Sequence, residues 1–208
     1  MNYFYLLIIS LTVIGCNQNE AENLEQPNSN QLGVHQDSII GWTIEIPTDW
    51  KIKSKEEIAA INEKGIESVE NAVGTKMNTH LFDNILCFSK DSMNMFQSIR
   101  EVYTEDLAAW KKNNASLKEL FCSVYANHGA RLDSSETTIE EVGGIKFESY
   151  EILFYDGAEE INMVQVFYST LINGYDFSVS MCVTNEQNKR ELMAIWENSI
   201  FAKREKLD

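Results

Sequence analysis

Basic side chains are scarce in this sequence of 208 residues, which carries 17 Lys and Arg against 32 Asp and Glu. The formal net charge of −15 argues against a nucleic-acid binder, because such a protein needs basic surface to meet phosphate groups. Hydrophobic residues make up 44% of the chain, which excludes a largely disordered protein. The length suits one domain with appendages.

Long apolar runs are lacking too. The run over residues 3–14 is too short for a membrane-spanning helix, which needs about 20 residues, but it fits the hydrophobic region of a signal peptide. It leads into residues 13–16 (VIGC), which resemble a bacterial lipobox, where the cysteine receives diacylglycerol and the chain is cut before it. We therefore predict a lipoprotein signal peptide over residues 1–15 and lipid attachment at Cys16. An ordinary secretory signal with a chance cysteine is the alternative.

Residues 17–37 contain no Phe, Tyr, Trp, Lys or Arg. We predict that residues 16–37 form a lipidated, flexible polar tether, followed by one domain over residues 38–203 and a short tail over residues 204–208. Asn17 follows the cysteine, and without an Asp there to indicate inner-membrane retention we favour the outer membrane. The predicted location is the bacterial cell envelope, and both the periplasmic and the surface-exposed face stay open.

Local patterns indicate where helices and strands begin. Residues 42–46 (WTIEI) alternate apolar and polar side chains, which predicts a strand with one buried face. Ser54 followed by Glu57 is a capping box, in which a hydroxyl and a carboxylate satisfy the first backbone N–H groups of a helix. Thr184 followed by Gln187 predicts a second such start, before the last helix.

Strands and turns dominate the second half of the chain. Asn173-Gly174 is a strong hairpin signal, since both residues tolerate positive φ. The predicted order of elements is β-α-β-β-α-β-β-β-β-α, and tight turns between successive strands make their pairing antiparallel. Residues 161–172 are apolar on both faces, so the sheet needs a layer on each side, and helices are the elements left to supply it. The predicted fold class is α+β: a mainly antiparallel β-sheet flanked by helices on both faces, an α/β/α sandwich.

Both ends of the domain carry a family resemblance. The first strand is followed by Pro47 and Trp50 in the pattern Pro-x-x-Trp, and the chain closes with a long hairpin and a helix ending in residues 196–201 (WENSIF). In these motifs and in the order of elements the chain is similar to PsbP-like and DcrB-like domains. The resemblance implies an α/β/α sandwich, often found in bacterial lipoproteins, with a non-catalytic accessory or binding role. It carries over no functional residue, because none of the family's can be matched here.

Motifs for catalysis and metal binding are lacking. The sequence has no GxSxG, HxxxH, HExxH, CxxC or calcium-loop pattern. Its histidines are His35, His80 and His128. Cys122, six residues before His128, would lie on a different face of a helix. We therefore predict no catalytic residue, no metal site and no cofactor.

Three cysteines remain besides Cys16, namely Cys87, Cys122 and Cys182. Their odd number leaves at least one thiol free. We favour small buried thiols, and one disulfide is the alternative, since the predicted compartment permits it.

Acidic residues concentrate between residues 132 and 160, where nine acids accompany one base, Lys146. One interpretation is a solvated hairpin edge, where charge also blocks pairing between sheet edges. The other is a contact surface for a cation or a basic partner. The residues that we assign to this candidate surface are Glu140, Glu141, Asp156, Glu159 and Glu160.

From these features we expect a non-catalytic, membrane-anchored lipoprotein that acts as a binding or accessory module. Its partners would be the membrane, through the lipid anchor, and an unknown envelope protein or small ligand. A carrier of a small ligand or lipid is an alternative, which requires an apolar cavity between sheet and helix. An envelope enzyme is a further alternative, which requires a deep polar pocket holding His80 or His128 beside a carboxylate.

Overall fold

The computed structural model describes residues 33–74, 76 and 82–202. These residues form three helices and eleven strands. The helices are α1 (Lys55–Val73), α2 (Leu107–Asn127) and α3 (Glu186–Glu197). The strands are β1 (Gly33–Asp37), β2 (Trp42–Ile46), β3 (Lys51–Ile52), β4 (Phe82–Ser89), β5 (Met95–Val102), β6 (Arg131–Ser134), β7 (Thr138–Val142), β8 (Ile145–Tyr155), β9 (Ile161–Ile172), β10 (Tyr175–Val183) and β11 (Ile200–Phe201).

A large sheet joins eight of these strands in the order β3-β4-β5-β10-β9-β8-β6, with β7 also paired to β8. The strand pairs of the described residues are antiparallel. The hairpin between β9 and β10 turns at Asn173 and Gly174, whose φ values are 54° and 82°. The predicted antiparallel α+β sheet and its central hairpin are therefore confirmed.

Helices α1 and α2 cover one face of the large sheet. Their buried side chains join those of the strands in one apolar cluster. The cluster contains Val69, Ile99, Leu117, Phe121, Val124, Tyr125, Ile152, Phe154, Met163 and Phe167. This layer is the helical layer that the two-sided apolar strands predict.

The opposite face is covered by α3 together with a second, three-stranded sheet in the order β1-β2-β11. Trp42, Ile44 and Ile46 of β2 are at most 3% exposed and pack with Trp196 of α3 against the large sheet. The prediction that helices alone supply both layers is therefore wrong on this side. A strand that presents three large apolar side chains on one face can cover a sheet as a helix does.

The predicted tether over residues 16–37 is wrong for its last five residues, which form β1 and pair with β2. Asp37 accepts hydrogen bonds from two backbone N–H groups of the turn that follows, at 3.0 and 2.8 Å, and forms an ion pair with Arg100. His35 packs its ring against Trp42. The sequence does not indicate this strand, because its composition is polar and alternate side chains are exposed to solvent.

Capping explains where the helices begin. The Ser54 side chain accepts from the backbone N–H of Glu57, and the Glu57 carboxylate accepts from that of Ser54, so the first capping box is confirmed. The second is wrong, because Asn185 caps α3 and accepts from the backbone N–H of Asn188 at 2.8 Å. Thr184 instead donates its backbone N–H to a side-chain oxygen of Asn94, which holds it one residue before the cap.

Several predicted features lie outside the described residues. These are the signal peptide over residues 1–15, lipid attachment at Cys16, residues 17–32 of the tether, His80, and the tail over residues 204–208. In the part of the chain that is described, no helix has the length and apolar character needed to cross a membrane.

Candidate functional site

The acidic residues of the predicted contact surface form two groups. Glu140 and Glu141 lie on β7, whereas Asp156, Glu159 and Glu160 lie in the turn between β8 and β9. Because β7 pairs with the first half of β8, residues 147–155 of β8 separate the groups by about 26 Å. The structure therefore does not bring the five residues together on one surface.

Three of these acidic residues have local structural roles. The Tyr168 hydroxyl donates to Glu140 at 2.7 Å. Arg131 forms an ion pair with Glu159 at 2.9 Å. Asp156 accepts from two backbone N–H groups of its own turn, at 2.8 and 3.1 Å. These contacts favour the interpretation of a charged, solvated hairpin region over that of a single binding surface.

The described histidines and cysteines are dispersed. His35 lies half-buried on β1, and His128 is exposed at the end of α2. Cys87 and Cys122 are free thiols, the first buried and the second half-buried, and Cys182 is buried. Burial raises the pKa of Cys87 to about 12. Within the described ranges no group of three or more His, Cys, Asp or Glu side chains could hold a metal ion.

A cleft of about 790 Å³ opens between α1 and the edge of the large sheet at β4. Its walls combine apolar side chains, amides and charged groups. The lining residues are Lys55, Ile58, Ala59, Asn62, Glu63, Ile66, Phe82, Asp83, Asn84 and Arg100. We call it the α1–β4 cleft. No signal in the sequence predicted it, because its walls come from residues far apart in the chain.

Two carboxamides, Asn62 and Asn84, form the floor of the α1–β4 cleft, and the buried Gln97 joins them by hydrogen bonds. The Gln97 amide donates to the side-chain oxygens of Asn62 and Asn84, at 3.1 and 2.9 Å. The Asn62 amide donates to the same oxygen of Asn84, at 3.2 Å. Asn62 and Gln97 are 7% and 1% exposed, so this network holds α1 against the sheet through hydrogen bonds between buried polar groups.

The polar floor changes how α1 packs. The spacing of its apolar residues predicts that Ile58, Ile61 and Ile66 point into the core, but all three are only half-buried. Val69 is fully buried, and so are the polar side chains of Asn62 and Ser68. α1 is therefore rotated about its axis so that part of its apolar face lies towards the cleft and not in the core. This orientation of the helix leaves the cleft open.

Arg100 lies at the rim of the cleft and is already neutralised. It pairs with Asp37 and with Asp83, at 3.2 Å in the second case, and its guanidinium lies over the ring of Tyr175 at 5.8 Å. Its side chain is 13% exposed. Arg100 therefore ties β1 to β4 and β5 and contributes little uncompensated positive charge to the cleft.

The outer edge of β4 is mostly unpaired beside the cleft. β3 pairs only with Phe88 and Ser89, at the far end of β4. In the described part of the chain, no strand pairs with residues 82–86 on that side. The β4–β5 register shifts between Asn84 and Leu86, a bulge of the kind found at sheet edges.

A pair of buried carboxyls lies elsewhere on the helix-covered face. Glu101 of β5 and Asp176 of β10 are directly opposite each other and are 5% and 7% exposed. Each has one oxygen without a hydrogen-bond partner among the described residues. Burial, with a smaller effect of Asp176, raises the pKa of Glu101 to about 7.

Asp176 has a raised pKa for the same reason. Burial raises it to about 6, although Ser178 and the indole N–H of Trp110 favour the charged form. The indole approaches the carboxyl but lies outside hydrogen-bond geometry. Neither carboxyl lines the α1–β4 cleft.

Comparison with known proteins tests the resemblance of the sequence. No protein-family model matches the chain, and neither does any curated protein. The structure matches the solution structure of cyanobacterial PsbP (CyanoP) from Synechocystis sp. PCC 6803, with a TM-score of 0.54 and 9% identity. The match covers 87% of this chain and 98% of that one. This chain has a PsbP-like fold. The PsbP-like resemblance of the sequence is thus confirmed at the level of the fold, and an identity this low shows no more than the fold.

Proposed function

We propose that this protein is a non-catalytic, lipid-anchored binding module of the bacterial cell envelope, and that its ligand binds in the α1–β4 cleft. The observation that carries the proposal is the cleft itself. It combines half-buried apolar walls with an ordered polar floor, the combination that is typical of binding sites. The PsbP-like fold supports such a module without specifying what it binds.

The chemistry of the lining favours binding over catalysis. Carboxamides such as Asn62 and Asn84 donate and accept hydrogen bonds but do not exchange protons near neutral pH. Arg100 is held by two carboxylates, those of Asp37 and Asp83. None of the ten lining residues is a histidine, cysteine or serine, so this lining holds no Ser–His or Cys–His pair.

The anchor is argued from the sequence. The apolar run and the lipobox-like residues 13–16 support lipid attachment at Cys16, and two or more acyl chains give stable membrane anchoring. Expression of the natural gene with an alkyne palmitate analogue should label the protein and place it in the outer-membrane fraction. Cys16→Ala should remove both the label and the membrane association. An unlabelled natural protein would refute the lipid anchor and would not affect the proposal that a ligand binds in the cleft.

Binding in the cleft is tested by photo-crosslinking in the native envelope. Ala59 lines the cleft and is exposed, whereas the neighbouring Ala60 is exposed but does not line it. A photoreactive amino acid at position 59 should give a discrete adduct by mass spectrometry, and the same residue at position 60 should not. Equal labelling at the two positions, or none at either, would refute the proposal.

A carrier of a small apolar ligand is a second candidate, favoured by the half-buried Ile58, Ile66 and Phe82 in the cleft walls. It predicts a bound small molecule that survives purification. Native mass spectrometry of the purified full chain should then show an added mass, which Ala59→Arg removes and Ala60→Arg retains. A protein that shows no added non-covalent mass, and whose organic extract contains no ligand, would contradict the carrier.

A further inference from the structure

We propose that the occupant of the α1–β4 cleft is an extended polypeptide, which binds by adding a strand to the unpaired edge of β4. This inference rests on the proposed function, because it names the class of ligand that the cleft takes. It goes further in stating which backbone atoms make the contact and which sequence pattern the partner has.

The edge of β4 can pair with an extended chain. Backbone N–H and C=O groups along residues 82–86 have no strand partner on their outer side in the described structure. Such a row of groups is a template for another extended chain, and hydrogen bonds between the two backbones supply the affinity. Small ligands and lipids cannot satisfy a row of alternating donors and acceptors in this way.

The wall opposite that edge has the length of a short strand. The lining residues of α1 run from Lys55 to Ile66 on one face of the helix, so the cleft follows α1 for about 16 Å. A strand of five residues is about 17 Å long. Ile58 and Ile66 lie eight residues apart, about 12 Å, which matches two strand residues four apart, about 13 Å. Addition of an extended peptide to an exposed sheet edge is an established mode of peptide recognition.

The charge around the cleft specifies the partner. The lining of the cleft is balanced, with Glu63 and Asp83 against Lys55 and Arg100, and Asp37 beside Arg100 adds a further carboxylate. The surplus of negative charge lies around the cleft, because α1 as a whole carries five acidic residues and two basic ones. The formal net charge of the whole chain is −15. The partner that fits is therefore a basic peptide that alternates apolar with basic or small polar residues.

The test uses the full chain in detergent micelles and an acetylated ten-residue peptide that alternates Val with Lys and Thr. Fluorescence anisotropy measures the dissociation constant. Ala59→Arg places bulk and positive charge in the cleft and should weaken binding at least 10-fold, while Ala60→Arg should stay within 2-fold. Replacing each Lys of the peptide by Glu should also weaken binding at least 10-fold.

Strand addition has its own signature in a scan of backbone N-methylation along the peptide. Only alternate peptide N–H groups face β4, so methylation should abolish binding at every second position and be tolerated between them. Hydrogen exchange should slow in residues 82–86 and not in the edge strand β7. Uniform tolerance, uniform loss, or protection at β7 would overturn the inference.

The two proposals fail separately. If the photoreactive residue at position 59 captures a ligand but N-methylation shows no alternation, the cleft binds and strand addition is wrong. If Ala59→Arg and Ala60→Arg bind the peptide equally, the peptide is not in the cleft and the inference is overturned, whatever the crosslinking in the envelope shows.

Discussion

The buried carboxyl of Asp176 should make this domain less stable as the pH rises. Its pKa is raised from an ordinary 3.8 to about 6, chiefly by burial, so the folded state holds the proton more tightly than the unfolded state. The stabilising effect of the protonated carboxyl is complete below about pH 4 and is lost as the pH rises through 6. Glu101 acts in the same direction at slightly higher pH.

The size of the effect follows from the shift. About two pKa units at 1.36 kcal/mol each correspond to about 3 kcal/mol of folding stability. About 2 kcal/mol of this loss falls between pH 4 and pH 7.5, because the unfolded chain is already partly ionised at pH 4. Asp176→Asn keeps the shape of the side chain but cannot ionise, so it should avoid the loss.

Urea denaturation of the natural chain and of Asp176→Asn at several pH values measures this difference. Relative to the natural chain, the variant should gain about 2 kcal/mol in unfolding free energy between pH 4 and pH 7.5. Any constant effect of replacing the carboxyl by an amide cancels in this comparison. Glu141→Gln, at an exposed position of β7, is the matched control and should change by less than about 0.5 kcal/mol. A difference for Asp176→Asn that is independent of pH would refute the reasoning.

Two further predictions concern packing and the rim of the cleft, and urea denaturation measures both. Gly143→Ala should lower the free energy of unfolding by about 1 to 3 kcal/mol, because φ at this position is +56° and the new Cβ would lie 2.6 Å from the backbone oxygen of Ser199. Gly144→Ala has open space around its new Cβ and should lower this free energy clearly less. Equal losses for the two variants would contradict this contact. Arg100→Met should lower the free energy of unfolding by about 2 kcal/mol or more, because it leaves the largely buried Asp37 carboxylate without its cation. A loss below about 0.5 kcal/mol would show that this ion pair is not needed for stability.

Much of the secondary structure follows from local patterns. The hairpin of β9 and β10 is one example, because Asn173 and Gly174 both adopt positive φ and the two flanking strands are recognisable by composition alone. The start of α1 at Ser54 is another. Each of these features depends on residues within a few positions of one another, so their physical cause is contained in the sequence window that shows them.

Other local predictions failed where distant contacts compete. Thr184 has the sequence pattern of a helix cap, but Asn94, ninety positions away, binds its backbone N–H, and Asn185 caps α3 instead. Residues 33–37 are polar enough to suggest a tether, but the ion pair of Asp37 with Arg100 and the pairing with β2 make them a strand. A window of the sequence contains neither partner.

By itself, the sequence determined the class of the fold, the main strands and their turns, and the charge of the surface. Those properties depend on composition, periodicity and short turn motifs. Only the tertiary structure determined the existence and position of the α1–β4 cleft and the pairing of the buried Glu101 and Asp176. Both depend on strand register and on the rotation of α1 over a polar floor. Such relations join residues far apart in the chain, and only the packing of the whole domain sets them.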